Sequence, residues 1–176
     1  MNAATGVDGA TPSRDRVPTA GRPDPRDLAG DFGHRFEVRV RFADTDAMGH
    51  VNNATYLTYV EAARIDWWTT ITGEPLEREG GRRNGLILAQ ADVDFRSPIV
   101  FGELVTIESR ATRIGRTSLG LEHRLTAAPA TGGPARLVAT CRSVLVRYDY
   151  VSAAPTSWPP AFVAAIEAFE GRPLRS

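Results

Sequence analysis

The 176-residue sequence contains no lysine: all 21 of its basic residues are arginine. That excludes Schiff-base chemistry and any phosphate loop built on a lysine ammonium. Arginine or backbone N–H groups must hold any phosphate the protein meets. A single cysteine, Cys141, excludes an intrachain disulfide and a cysteine-based zinc site. Histidine is nearly as scarce, with only His34, His50 and His123. Neither sign of charge is in excess, 21 basic residues standing against 21 acidic ones. There is therefore no bulk basic footprint for nucleic acid and no acidic tail. Nowhere does the chain offer the roughly 18 uninterrupted apolar residues of a membrane span. The N-terminus also lacks the short apolar core of a signal peptide, so a cytoplasmic location is the expectation.

What the chain does have is a hydrophobic content of 42%, enough for one buried core. Residues 1–32 hold Pro12, Pro18, Pro23 and Pro25 among mixed Arg and Asp, and no aromatic residue before Phe32. Such a segment buries too little apolar surface to offset its ordering entropy and is expected to be a disordered tail. From Phe36 to Phe42 apolar residues alternate with Glu37, Arg39 and Arg41, the period of a half-buried strand. Between Val51 and Thr72 the spacing changes. Leu57, Val60, Arg64, Trp67 and Ile71 recur at helical intervals, and Tyr56, Tyr59 and Trp68 widen the stripe. Asn52 or Asn53 can cap this helix at its start and Gly73 can end it. Aromatics over so much of its circumference predict burial on several sides.

A Gly/Arg/Glu-rich loop is expected over residues 74–85. Four further strand patterns follow, at 86–95, 104–114, 118–126 and 136–148, with Gly115 and Gly132–Gly133 at turns. The domain reads as residues 33–150. Residues 151–176 form a C-terminal extension with a short helix near 161–169. One strand, one long helix and four strands in hairpins make an α+β protein, its curved antiparallel sheet wrapped around a central helix.

Chemistry concentrates at the first strand-to-helix junction, where Asp44, Asp46, His50, Asn52, Asn53, Tyr56 and Glu61 fall within residues 44–61. A helix start offers free N–H groups and the positive end of its dipole. A carbonyl seated there is polarised, and a carboxylate just before the helix can attack it or activate a water. Each residue also has a plainer use. Asp46 can cap a turn, Asn52 and Asn53 are ordinary N-caps, and Tyr56 can fill core. Glu61 and Arg64 can form a helix-surface ion pair, or Glu61 can be a second carboxylate of the site. Asp44, Asp46 and His50 are too few for an oxygen-rich metal site, and none is expected. Cys141 reads as inert core, and Trp67 and Trp68 as core and subunit packing.

The stretch D-T-D-A-M-G-H-V-N-N-x-x-Y-x-x-Y-x-E-x-A-R, residues 44–64, resembles the signature of the hotdog-fold acyl-CoA thioesterases of the 4-hydroxybenzoyl-CoA thioesterase type. It is also similar to the D-x-N-x-H-V-N-N-x-x-Y stretch of plant acyl-ACP thioesterases. Met48 replaces the Asn of that second pattern, which favours the CoA type. The resemblance implies a hotdog fold and hydrolysis of an acyl-CoA without any cofactor. It implies Asp46 as catalytic carboxylate, nucleophile or general base; beside it, His50 can orient Asp46, contact substrate or be an ordinary turn histidine. A helix-start N–H near Asn53 then polarises the thioester. Asn52, Tyr56, Glu61, Arg96 and Ser97 are the expected substrate contacts, and a homodimer or homotetramer the expected assembly. An acyl-ACP thioesterase, a hotdog hydratase or dehydratase, and a non-catalytic acyl-CoA-binding protein are the alternatives.

Overall fold

The computed structural model describes residues 28–73 and 84–175. Its elements run β1 (His34–Arg39), a 3-10 turn (Phe42–Asp44), α1 (Asn53–Thr72), β2 (Asn84–Phe95), β3 (Leu104–Ile114), β4 (Ser118–Ala128), β5 (Arg136–Asp149), β6 (Ala154–Pro155) and α2 (Pro160–Glu170). The expected loop over 74–85 lies almost wholly outside the described residues. The sheet has the order β1-β3-β4-β5-β2, with β6 beside β5, and every pairing is antiparallel. This is the curved sheet around one long helix that the pattern of elements predicts.

Cross-strand partners share a face. Ile107, Leu125 and Ala139 lie opposite one another across β3, β4 and β5 and are all fully buried. The intervening residues Glu108, Arg110, Glu122 and Arg124 form ion pairs across the strands on the outer face. The inner face packs on α1 in two apolar clusters. One surrounds Tyr56, Tyr59, Val60 and Ala63. The other surrounds Trp67 and Trp68 and takes in Trp158, Val163 and Ile166. Through Val163 and Ile166, α2 belongs to the core and is more than an appended extension. Both tryptophans of α1 are consumed in this core, at 0% and 5% exposure, rather than held for a subunit contact.

Helix α1 is capped as its sequence predicts. The Asn52 side chain accepts from Ala54 N–H at 2.9 Å, and Gly73 closes the helix in the left-handed region at φ 67°. Burial on several sides is not what the chain shows. One broad face is covered, while Leu57 and Ile65 are 40% and 43% exposed. The sheet reaches around only part of the helix, so any cover for the remainder must come from outside the described residues.

Residues 28–32, which fall within the tail expected over 1–32, pack against the sheet. Leu28 is 3% exposed, and the Phe32 ring lies 4.4 Å from the Arg110 guanidinium and 4.6 Å from that of Arg124. Carbonyls of Leu28, Ala29, Gly30 and Asp31 accept from the same two arginines. Two strand arginines spaced to clasp one aromatic ring supply the ordering energy that composition alone does not reveal. Among the described residues no helix is long and apolar enough to cross a membrane.

Candidate active site

The loop between the 3-10 turn and α1 is built around Asp44. This carboxylate is buried, and it accepts from Arg41 N–H at 2.8 Å, from Arg41 Nη2 at 2.8 Å and from Tyr59 Oη at 2.8 Å. These donors, the Arg41 side chain foremost, hold its pKa down to about 2, while burial and the neighbouring Asp44 charge push Tyr59 up. Asn52 N–H donates to the Asp44 carbonyl at 2.9 Å, so backbone and side chain of one residue fasten both ends of the loop.

Inside that frame Thr45 bridges to Val51, and Asp46 N–H donates to the His50 carbonyl at 2.9 Å. The chain reverses at Gly49, whose φ of 79° suits glycine best. Asp46 Oδ1 accepts from Met48 N–H at 2.8 Å, an Asx-type turn that fixes one carboxylate oxygen. The other oxygen makes no hydrogen bond among the described residues. Beyond the turn, Val51 N–H donates to the Ile99 carbonyl at 2.8 Å, tying the loop to the segment between β2 and β3.

At the helix start the amides divide. Ala54 N–H is taken by the Asn52 side chain, and Thr55 N–H by the Asn52 carbonyl. Asn53 N–H has no acceptor among the described residues. It is an exposed donor at the positive end of a 20-residue helix.

Asp46, His50, Asn52, Asn53, Tyr56, Arg96 and Ser97 come together around one open cavity of about 540 Å³, joined by Met48, Phe95 and Pro98. Tyr56 forms part of its wall, with its ring edge-on to Phe95 at 5.0 Å and its hydroxyl 3.4 Å from the Ser97 carbonyl. Two expectations are modified. His50 is tied to Asp46 only through the backbone, and its imidazole makes no hydrogen bond among the described residues. The Ser97 hydroxyl accepts from Arg136 Nε at 3.1 Å, which leaves it a supporting part rather than a free contact.

Glu61 is not part of this cavity. It lies eight residues along α1 from Asn53, roughly 12 Å of helix axis. It lines a separate cavity of about 140 Å³ together with Arg64. Sequence spacing alone placed it with Asp46 because it belongs to the same motif.

The structure also adds residues that the sequence did not single out. Arg136 forks onto Glu103, Nη1 to Oε1 at 2.7 Å and Nη2 to Oε2 at 3.0 Å, and donates to the Pro98 carbonyl at 2.5 Å. Glu103 in turn accepts from Val100 N–H at 3.0 Å, and the Arg136 guanidinium holds its pKa below the usual carboxylate range. Through Arg136 this pair braces Ser97 and Pro98 of the cavity wall. The two residues stand 33 apart, and no local signal links them. Among the described residues, no three His, Cys, Asp or Glu side chains gather as a metal site.

Residues 40–166 match the model of the thioesterase-like superfamily. A thioesterase from Thermus thermophilus, solved with coenzyme A and zinc, is 38% identical. The match covers 81% of this chain and 98% of that one with a TM-score of 0.68. The 1,4-dihydroxy-2-naphthoyl-CoA hydrolase of Synechococcus elongatus is 31% identical over 94 residues, 52% of this chain and 68% of that protein. The long-chain acyl-CoA thioesterase FadM of Escherichia coli is 27% identical over 93 residues, 53% and 69% of the two chains.

Proposed function

The chain belongs to the thioesterase-like superfamily, and from that premise we propose how it hydrolyses the thioester of an acyl-CoA to a free carboxylic acid and coenzyme A. One observation carries the mechanism: the Asp46 carboxylate and the unpartnered Asn53 N–H line the same open cavity. A thioester carbonyl seated against Asn53 N–H is polarised by that donor and by the helix dipole, both fixed before substrate arrives. Asp46 then attacks the carbonyl carbon directly or takes a proton from a water that does. By direct attack the C–S bond breaks as the acyl group passes to Asp46 as an anhydride, which a water then hydrolyses to the free acid and the restored carboxylate. With an activated water the C–O bond of the acid forms in one displacement, and in both routes the leaving thiolate takes up a proton as coenzyme A.

The held oxygen of Asp46 keeps the carboxylate aimed while the other reacts. His50, on the cavity rim, contacts the substrate or leaving group rather than orienting Asp46. Asn52 and Tyr56 shape the cavity around the thioester, and Arg96 faces the incoming substrate from the opposite wall.

The assembly is a homo-oligomer formed through the edge strand β2. Among the described residues no strand pairs with its outer edge, and Leu88 and Phe95 are 41% and 48% exposed. Leu57 and Ile65 of α1 stand equally bare. A second copy that pairs with this edge covers those residues and removes an aggregation-prone edge. A coenzyme A thioester substrate and one buried thiol, Cys141, fit a cytoplasmic enzyme.

Replacing Asp46 by Asn is the test. It keeps the turn acceptor for Met48 N–H but removes the charge. Release of free thiol from a panel of acyl-CoAs is expected to vanish while the melting curve stays that of the parent. Full activity in a folded Asp46→Asn protein removes Asp46 from the mechanism, and wild-type binding of acyl-CoA without thiol release favours a binding protein.

A further inference from the structure

Residues 96–103, between β2 and β3, belong to no strand or helix. Their first part lines the Asp46 cavity through Arg96, Ser97 and Pro98. Their middle meets the loop that carries Asp46. Val51 N–H donates to the Ile99 carbonyl at 2.8 Å, and His50 stands opposite Val100 in an antiparallel bridge. On its other side the His50 carbonyl accepts from Asp46 N–H at 2.9 Å. The backbone of His50 and Val51 therefore stands between Asp46 and the 99–100 segment.

The apolar side chains of this segment do little to fix its shape. Ile99 is fully buried, but Val100 and Phe101 are 40% and 61% exposed. Two side chains at its border hold it instead. Glu103 immediately precedes β3 and is 6% exposed; Arg136 opens β5 and is 37% exposed. Beyond the fork that joins them, each hydrogen bond these two side chains make among the described residues lands within 97–100. Arg136 Nε donates to Ser97 Oγ and Arg136 Nη2 to the Pro98 carbonyl, while Glu103 Oε2 accepts from Val100 N–H. A pair that served only to join β3 to β5 would spend its hydrogen bonds on those strands. The hydrogen bonds from Arg136 lower the pKa of Glu103, and Glu103 raises that of Arg136 in return. Both partners stay charged, which makes these contacts the stronger, charge-assisted kind. Contacts thus run without a gap from Arg136 through Glu103 and Val100 to His50 and Asp46.

We propose that Glu103 and Arg136 are positioning residues for the hydrolysis: together they hold the 97–100 wall where the His50–Val51 backbone sets the Asp46 carboxylate against Asn53 N–H. This rests on the thioesterase reading and deepens it by assigning the support of that site on its sheet side. Neither side chain lines the Asp46 cavity, so neither meets the thioester. Their part is to fix geometry before substrate arrives, and a misplacement of about 1 Å in a reacting group costs on the order of 10²-fold in rate. The loss on breaking the pair falls on kcat more than on KM, because the reacting groups and not the bulk of the substrate are displaced.

The experiment measures kcat and KM for thiol release by Glu103→Ala, Arg136→Ala, Arg136→Lys and the double alanine variant, on the acyl-CoA that the parent cleaves best. Each protein is assayed well below its own melting temperature. Each single alanine variant is expected to lose about ten- to a hundredfold in kcat, with KM changed by less than about threefold. The double variant loses about as much as the worse single one, since residues that act as a unit are lost only once. Arg136→Lys keeps the charge without the fork and has an intermediate kcat. It carries the test if the alanine variants do not fold, and the parent's kcat in that variant then overturns the proposal. Parental kcat in either folded alanine variant overturns it, as do losses that multiply in the double variant. A rise in KM at unchanged kcat overturns it too and makes Arg136 a substrate contact. All of these outcomes leave the thioesterase reading standing. A parent that releases thiol from no acyl-CoA in the panel ends that reading and the proposal with it.

Discussion

The Tyr59 hydroxyl donates a 2.8 Å hydrogen bond to Asp44 Oδ2, and through that contact the second turn of α1 is fastened to the loop that carries Asp46. The Asp44 carbonyl also accepts from Asn52 N–H, just ahead of the helix. The distance between the Asp46 carboxylate and the helix-start amide is therefore set by a residue that does not line the cavity.

Tyr59→Phe deletes the hydroxyl and leaves its ring in the core. Asp44 keeps its Arg41 donors, so the cost in stability is about 1–2 kcal/mol, measurable by urea denaturation. Because the loop gains freedom relative to α1, kcat is expected to fall several-fold while KM changes less. Equal kinetics in the two proteins would show that the loop is positioned by its other contacts.

Stability should decline in acid through Asp44. Its folded pKa, about 2, lies below the ordinary aspartate value near 3.9. The contribution is present in full above the unfolded value and is lost as pH falls through the folded one. The melting temperature is expected to drop between about pH 4 and pH 2, and Asp44→Asn, already destabilised, to show a shallower drop over that window. Parallel curves for parent and variant would assign the acid sensitivity to other carboxylates.

Asn53→Pro isolates the proposed oxyanion donor. Position N1 of a helix accepts proline well, since its N–H has no helical partner. The preceding residue, Asn52, already sits at φ −58° and ψ 138°, the extended region that proline demands of its neighbour. The variant is expected to melt like the parent and to lose about 10²–10³ in kcat, the usual effect of removing one such donor. Near-normal turnover would mean that the carbonyl is polarised elsewhere.

Much of this protein is legible along the chain because the signals are local. Alternation at Phe36 and Val38, the helical stripe from Tyr56 to Trp68, the Asn52 cap and the Gly73 stop each depend on residues within one or two turns of one another. The same holds for the Asp46–Asn53 junction, whose parts are seven residues apart. The Arg136–Glu103 fork, the clasp of Phe32 by Arg110 and Arg124, and the Tyr56–Phe95 wall join distant segments, and no periodicity announces them.

A single long helix, its caps, five strand patterns and one carboxylate just ahead of a helix start are written in the order of the residues. Local sterics, backbone hydrogen bonding and hydrophobic period dictate these features. Packing in three dimensions was needed to move Glu61 and Arg64 away from the Asp46 site into a cavity of their own. It also engages the Ser97 hydroxyl with Arg136 and leaves Leu57 and Ile65 uncovered. Those outcomes depend on how far a curved sheet reaches around a helix and which charges end up buried beneath it. Both are set by contacts between segments far apart in the chain.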